Sequence, residues 1–361
     1  MNEEIYKTNI LSSTLFIGNN AFVELERFLG NKSYKSSQLY VLVDENTKKY
    51  CLPTLINNIN IFKKAAIIEI ISGEDHKTID NAVYIWERLL KLKADRNVLF
   101  INMGGGVICD LGGFAASLYK RGISFINIPT TLMAQIDASF GGKNGIDMGG
   151  IKNQIGTFNN PEAVFIYPEF LKTLNKRQKL SGFAEVIKYS IISKSIFFED
   201  IIGIDFENLD NLQKIIYESV GTKGIIVSND YKENGLRKTL NFGHTIGHAI
   251  EAFSVLNNTD VLLHGEAIAV GIICEIYLSV KKFSFPLELQ HKYNTFIINK
   301  FGKHTINRSS YNYLIELMRN DKKNHNDEIN FVLMKDIGKP MINQQCEENE
   351  IIESLDYYVN L

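Results

Sequence analysis

The stretch 97-NVLFINMGGGVICDLGGFAASLYK-120 decides the fold. Residues 97–103 form a short apolar run that reads as a strand, and it runs directly into Gly104, Gly105 and Gly106. Consecutive glycines belong where a backbone must turn tightly and approach a ligand without interference from Cβ. Residues 110–120 are rich in Ala, Leu and Phe and read as a helix whose N-terminus faces whatever sits on the turn. Such an end offers N–H groups and positive potential to a pyrophosphate. The spacing is not GxGxxG, so a plain glycine-rich turn stands beside the dinucleotide reading.

Working outward, the same alternation continues. Residues 7–17 alternate, and 21–29 look helical. Residues 38–43 (QLYVLV) are a β-rich run ending in Asp44, Glu45 and Asn46, as a parallel strand that delivers polar groups at its carboxyl end would. Residues 65–71 are a further apolar run, closed by the turn SGEDHK at 72–77. The amphipathic segment 78–92, with the only tryptophan, Trp86, then reads as a helix packed on the sheet. Downstream, 124–128 is another strand, ended by Pro129, Thr130 and Thr131. Beyond Pro168 strands give way to long helical periods over 180–193, 266–281, 287–300 and Tyr311–Arg319. The expected architecture is an α/β N-terminal nucleotide-binding domain over residues 1–170, followed by an all-α C-terminal domain over 171–361.

Composition narrows the function. A chain of 361 residues with 45% hydrophobic content suits about two domains with sizeable cores. Its 39 basic residues are balanced by 41 acidic ones and the lysines are scattered, so nucleic acid is not an expected partner. The opening MNEEIYKTNI has early acids and no apolar core of a signal peptide, and no run of about 18 apolar residues occurs. No membrane partner is therefore expected, and the expected location is cytoplasmic. Cys51, Cys109, Cys274 and Cys346 lie far apart without a CxxC pair, which points away from a disulfide framework and a thiolate zinc site.

Two further stretches carry chemistry. Residues 137–158 (DASFGGKNGIDMGGIKNQIGTF) hold six glycines together with Lys143 and Lys152. Cations set among glycines rather than on a solvated helix face read as a loop wrapped around an anionic ligand. Residues 241–266 (NFGHTIGHAIEAFSVLNNTDVLLHGE) contain three of the seven histidines. His244 and His248 stand at i and i+4, so a helix places both imidazoles on one face, and His264 follows beside Gly265 and Glu266. Imidazole is the commonest metal ligand, and a catalytic zinc site needs three protein ligands and an open position. Helix-surface or core histidines are the alternative; a metal site would need a further ligand from elsewhere. Glu185 and Lys188, at i and i+3 in an apolar segment, are buried charges that need a partner or a metal, or else an intrahelical salt bridge.

The chain resembles the 3-dehydroquinate synthase family of the sugar-phosphate cyclases. The resemblance spans residues 72–338 and rests on SGEDHK, GGGVICDLGGFAAS, RGISFINIPTTLMAQIDASFGGKNGID, KNQIGTF, FLKTL, GFAEVIKY, GLRKTLNFGHTIGHAIE, LHGEA and DKK, in that order. It implies NAD bound between an α/β N-terminal and a helical C-terminal domain, a divalent metal (zinc or cobalt), a sugar-phosphate substrate and a homodimer. It implies that Glu185, His244 and His264 are the metal ligands, and that His248 supports phosphate elimination or proton movement. Lys143, Lys152, Asn153, Lys188, Lys223, Arg237, Asn241 and Lys322 or Lys323 match positions that hold the substrate carboxylate, hydroxyls and phosphate. Asp137 and Glu233 match acidic positions of that site, and Arg121 an arginine that reaches the partner subunit's phosphate pocket. The NAD contacts implied are Asp44, Ser72, Gly73, Glu74, Lys77, Gly105, Gly106, Val107, Asp110, Thr130, Thr131, Leu171, Lys172 and Thr173, with Lys143 and Lys152 beside them.

The implied reaction turns 3-deoxy-D-arabino-heptulosonate 7-phosphate into 3-dehydroquinate and phosphate. It proceeds by transient oxidation, β-elimination of phosphate, re-reduction, ring opening and aldol closure. A sister cyclase acting on sedoheptulose 7-phosphate or glucose 6-phosphate, a metal-dependent polyol dehydrogenase and a non-enzymatic NAD-binding protein are the alternatives. Lys223, Arg237, Asn241 and the DKK element favour the first reading. Two positions depart from the family pattern: Cys109 stands where glycine is common, and Asn144 where threonine is.

Overall fold

Seven β-rich runs become one sheet in the computed structural model, which describes residues 5–32, 34–35, 38–149, 151–257, 261–319 and 328–361. Numbered along the chain, they are β1 (Tyr6–Ile10), β2 (Ser13–Ile17), β3 (Leu39–Asp44), β4 (Ala66–Ile70), β5 (Leu99–Gly104), β6 (Ser124–Pro129) and β9 (Ala163–Ile166). The order across the sheet is β1-β2-β9-β6-β5-β3-β4, antiparallel at the β1–β2 edge and parallel elsewhere.

Side chains alternate faces along each strand, and here both faces are covered. Leu39, Val41 and Val43 of β3, with Leu99, Ile101 and Met103 of β5, pack against α1 (Ala21–Asn31) and α3 (Leu52–Asn58). Tyr40, Leu42 and Phe100 point the other way, against α4 (Ile79–Lys91) and α5 (Gly106–Leu118). The short α2 (Glu45–Tyr50) starts at the carboxyl end of β3, where Asp44 Oδ1 accepts from the Thr47 N–H at 2.6 Å. Asp44 thus caps a helix at the strand's end.

The stretch 137–158, expected as an irregular loop, is more ordered than its glycines suggest. It joins a π-helical turn, Ala134–Ala138, to an antiparallel hairpin of β7 (Lys143–Met148) and β8 (Ile151–Phe158). Gly145 and Gly156 are cross-strand partners, and Asn144 packs so closely on α5 that a Cβ at Gly113 would lie 1.9 Å from its Oδ1. Packing on a helix overrides the weak strand preference of glycine, which sequence pattern alone does not report.

The chain divides into two compact units, Met1–Asn175 with Asp205–Tyr231, and Lys176–Ile204 with Lys232–Leu361. The first therefore includes α8 (Leu209–Asn229), whereas the sequence reading assigns everything after residue 170 to the helical domain. The second holds α6 (Lys176–Ile192), α7 (Phe198–Ile202), α9 (His244–Leu256), α10 (His264–Phe283), α11 (Leu287–Phe301), α12 (Tyr311–Arg319) and α13 (Glu348–Asn360). One antiparallel pair, β10 (Asn330–Met334) with β11 (Pro340–Gln345), is added to this helical unit. Among the described residues no helix is long and apolar enough to cross a membrane.

Glycines bring three helices of this unit together. A Cβ at Gly265 of α10 would sit 1.8 Å from the Ser181 carbonyl of α6, and one at Gly271 would sit 1.9 Å from the Gly243 carbonyl at the start of α9. Only residues without Cβ permit such approaches.

Candidate functional site

In the second unit, those close approaches gather residues far apart in sequence. His244 opens α9, His248 lies one turn on, His264 opens α10, and Glu185 projects from the middle of α6. Among the described residues, His244, His248 and His264 form a group whose ligand atoms lie within 4.8 Å of one another. Glu185 Oε1 is 3.5 Å from His244 Nε2 and 3.7 Å from His264 Nε2, and the carboxylate is fully buried.

These spacings fit a metal. Four ligands at about 2.1 Å in tetrahedral array lie roughly 3.4 Å from one another. The hydrogen bonds fix the imidazoles to suit. His244 Nδ1 donates to the Phe242 carbonyl at 3.0 Å, and His264 Nδ1 to Glu251 Oε2 at 3.1 Å. With Nδ1 carrying the proton in each ring, both Nε2 lone pairs face Glu185. Burial opposes a charge on His264, but Glu251 and Glu185 outweigh it and push its pKa up to about 9. A metal held at Nε2 would take the place of that proton.

Glu185 serves two neighbours. Its Oε2 pairs with the buried Lys188 ammonium, so the intrahelical salt bridge and the approach to the imidazoles coexist. Glu266, beside His264 in sequence, faces elsewhere: it accepts from Arg177 through both oxygens at 2.7 Å and caps α10 at the Leu263 N–H. Nearby in the chain, Arg237 is buried on the 3-10 turn Leu236–Asn241, and Asn241 Nδ2 donates to Glu233 Oε1 at 3.0 Å. Glu233 holds a left-handed backbone, φ 62°. Lys322 and Lys323 lie outside the described residues.

The first unit carries the other group. Lys77 is buried and its Nζ donates to Asp110 Oδ2 at 2.7 Å and Asn153 Oδ1 at 2.6 Å, with Glu74 Oε1 at 3.6 Å. Burial would lower its pKa, yet Asp110 and Glu74 hold it above the ordinary lysine value. Lys152 reaches the same Glu74 oxygen at 3.6 Å. Asn153, at φ 53°, donates its N–H to Asp147 Oδ1 at 2.7 Å, and Asp147 N–H donates to the Lys77 carbonyl at 2.8 Å. One lysine thus ties the SGEDHK turn, the glycine-turn helix and the hairpin.

The same unit holds the remaining expected positions. Helix α5 begins at Gly106, and its N-cap, Gly105, provides no side-chain hydrogen bond; Val107 follows in its first turn. Thr130 N–H donates to the Gly104 carbonyl at 2.9 Å, and Thr131 Oγ1 accepts from the Ala134 N–H at 3.2 Å. Ser72 is held by Glu45 at 2.8 and 2.5 Å, next to Gly73. Lys223 of α8 meets Asp137 of the π-helical turn, Nζ to Oδ1 2.5 Å. Leu171 is buried on the 3-10 turn Pro168–Thr173, Lys172 pairs with Glu169 at 2.5 Å, and Thr173 Oγ1 donates to the Phe170 carbonyl at 3.2 Å. Lys143, at the start of β7, is exposed, as is Arg121, in a left-handed turn at φ 69°. Cys109 sits inside α5, outside the left-handed residues, so no glycine is required there. Asn144 is buried and donates to the Gly142 and Asn159 carbonyls at 3.1 and 2.8 Å.

Sequence reading missed Glu251 and Glu275. Glu251 continues the His244, His248 face at i+7, which is a legible signal. Glu275, set within the apolar stretch 267–280 of α10, is legible only as a buried charge.

Known proteins add the following. The family description 3-dehydroquinate synthase N-terminal matches residues 67–181, and 3-dehydroquinate synthase C-terminal matches residues 182–324. A 3-dehydroquinate synthase of Parabacteroides distasonis is 44% identical over 337 residues, 93% of this chain and 94% of that protein. One of Clostridium botulinum is 38% identical over 318 residues, 86% and 89% of the two chains. Among solved structures, 2-deoxy-scyllo-inosose synthase complexed with carbaglucose-6-phosphate, NAD+ and Co2+ aligns with TM-score 0.82 at 24% identity, covering 98% of this chain and 99% of that one. A 2-epi-5-epi-valiolone synthase from Streptomyces hygroscopicus with NAD+ and Zn2+ bound aligns with TM-score 0.84 at 20% identity, covering 99% of each. These two likenesses concern the fold.

Proposed function

The chain belongs to the 3-dehydroquinate synthase family, and from that premise we propose that it converts 3-deoxy-D-arabino-heptulosonate 7-phosphate into 3-dehydroquinate and phosphate. The carrying observation is the meeting of Glu185 Oε1 with Nε2 of His244 and His264 in a chain of this family. Those three atoms would hold a divalent metal, zinc or cobalt. NAD would lie in the first part of the chain, residues 1–170, along Asp44, Ser72, Gly105, Asp110, Thr130 and Thr131, with Leu171, Lys172 and Thr173 just beyond. When bound, NAD takes and later returns a hydride, and the metal polarises the oxygen at the carbon concerned.

The chain's own residues do the rest. Lys77 holds the hairpin and the glycine-turn helix together through Asn153 and Asp110, on the segments that would hold NAD. Lys188, beside Glu185, keeps positive charge next to a carboxylate that would otherwise repel electron-rich substrate oxygens. His248, adjacent to both metal-facing rings, is placed to move a proton during phosphate elimination. Arg237, Lys223 and Lys143, with Lys152 and Lys322 or Lys323, supply the cations that a substrate bearing both carboxylate and phosphate needs. Asn153, Asn241, Glu233 and Asp137 read its hydroxyls. Homodimeric assembly, with Arg121 reaching the partner subunit's phosphate pocket, and a cytoplasmic location belong to the same proposal through the family resemblance.

The test is phosphate release from that heptulosonate phosphate by purified protein with NAD and zinc or cobalt, with the product identified by mass. Dehydroquinate without net NADH is the expected result. Turnover of sedoheptulose 7-phosphate instead moves the substrate, stoichiometric NADH favours a dehydrogenase, and silence on every substrate overturns the proposal.

A further inference from the structure

We infer that Glu275 is a positioning residue for the metal-facing imidazole of His244, acting through the first turn of α9. The inference rests on the metal reading above. Glu275 lies on α10, about three turns beyond His264, and is fully buried. Its carboxylate is hydrogen-bonded to the backbone at the start of α9. Oε2 accepts from the Gly243 N–H at 2.6 Å, and Oε1 from the N–H groups of Thr245 and Ile246 at 3.2 and 3.5 Å.

Local chemistry explains why it is there. A helix leaves its first N–H groups without intrahelical acceptors, and a Ser, Thr, Asp or Asn N-cap ordinarily accepts from one of them. The N-cap of α9 is Gly243, which has no side chain to offer. Glycine is needed there: the backbone is left-handed, φ 79°, and a Cβ would meet Ile272 Cγ1 at 2.6 Å. The missing cap is therefore supplied by the helix that crosses it. Burying a carboxylate in an apolar stretch is costly, and the N–H groups together with the positive end of α9 offset that cost.

The consequence falls on His244. Its two chain neighbours, Gly243 and Thr245, are both clamped by Glu275, and its own Nδ1 is fixed on the Phe242 carbonyl. The direction of its Nε2 is thus set by a carboxylate on the same helix that carries His264. Glu275 makes the relative placement of two ligands a property of one helix pair.

The experiment uses the full chain and the metals alone. Glu275→Ala and Glu275→Gln are compared with the parent and with Leu355→Ala, a cavity variant in the buried face of α13. Zinc affinity is measured by competition with a chelator, coordination by the visible spectrum of the cobalt form, and folding by circular dichroism and Tm. Removing a group that orients a ligand typically weakens metal binding by about 10–100-fold. Glu275→Ala is expected to show that loss and an altered cobalt spectrum. Glu275→Gln, which keeps one accepting oxygen, falls between it and the parent. Leu355→Ala lowers Tm and leaves zinc affinity as in the parent. If Glu275→Ala does not fold, Glu275→Gln decides by the same readouts. Folded Glu275 variants with parental zinc affinity and cobalt spectrum overturn the inference while the metal reading stands. A parent that binds neither metal overturns both.

Discussion

Lys77 and Lys188 are both buried lysines paired with a carboxylate, and they do opposite jobs. Lys77 pairs with Asp110, 33 residues away, and with Asn153, 76 residues away, so its bonds stitch three segments of the sheet unit. Lys188 pairs with Glu185 on its own helix, a bond that stitches nothing, while the other carboxylate oxygen faces two imidazoles. Of these two pairs, the one whose partners are distant in sequence holds segments of the chain together. The one whose partners share a helix turn leaves the carboxylate available to a third party.

The strongest challenge to this contrast is His264→Ala. If the Glu185 carboxylate is shared with a metal, removing one imidazole leaves two ligands and should abolish metal-dependent turnover with the circular dichroism spectrum unchanged. Full activity with stoichiometric metal would mean that Glu185 is held by Lys188 alone. Lys77→Met attacks the other side. Breaking a buried pair costs about 3–5 kcal/mol, and the partly exposed Asp110 places this case near the lower end, to be read from denaturant unfolding. A loss of activity with parental stability would turn Lys77 from a stitch into a participant.

The same variant carries a pH test. The folded-state pKa of Lys77 is raised because Asp110 and Glu74 outweigh burial. Its contribution is therefore complete below the ordinary lysine value, about 10.4, and is lost as pH climbs through the folded value. The stability gap between parent and Lys77→Met should stay flat from about pH 7 to 9. A smaller effect is expected for Glu251→Ala, which leaves the ligands in place but frees His264 Nδ1. Zinc affinity should fall about 10–100-fold. An unchanged affinity would show that burial alone orients the ring. Smallest is Arg121→Ala, an exposed cation outside both pairs. A rise of about tenfold in the Michaelis constant with NAD affinity intact is expected, the size of one hydrogen bond to a charged group. An unchanged Michaelis constant would remove Arg121 from the substrate site.

What could be read in advance followed from periodicity and residue type. The apolar runs at 38–43, 65–71 and 97–103 became β3, β4 and β5, and Tyr311–Arg319 became α12 with the expected bounds. The i, i+4 pair His244 and His248 shares a face because a helix makes it so. The hairpin β7–β8 was not readable, since glycine hides strand character until a helix packs on it. Helix α8 and its grouping with the sheet unit went unread because amphipathicity does not say which core a helix joins.

By itself the sequence determined the main strands and helices of the sheet unit, the family motifs and which side chains have the chemistry to bind metal and phosphate. These follow from local dihedral preference and side-chain period, properties of neighbouring residues. Only the tertiary structure decided how closely Glu185 Oε1 approaches the Nε2 atoms of His244 and His264, that Glu266 belongs to Arg177, that Lys77 is a stitch and that Glu275 caps α9. Each of those depends on how closely two helices or a hairpin and a helix approach. That distance is set by packed volume, where a glycine such as Gly265 or Gly271 admits a neighbouring backbone and any Cβ would exclude it.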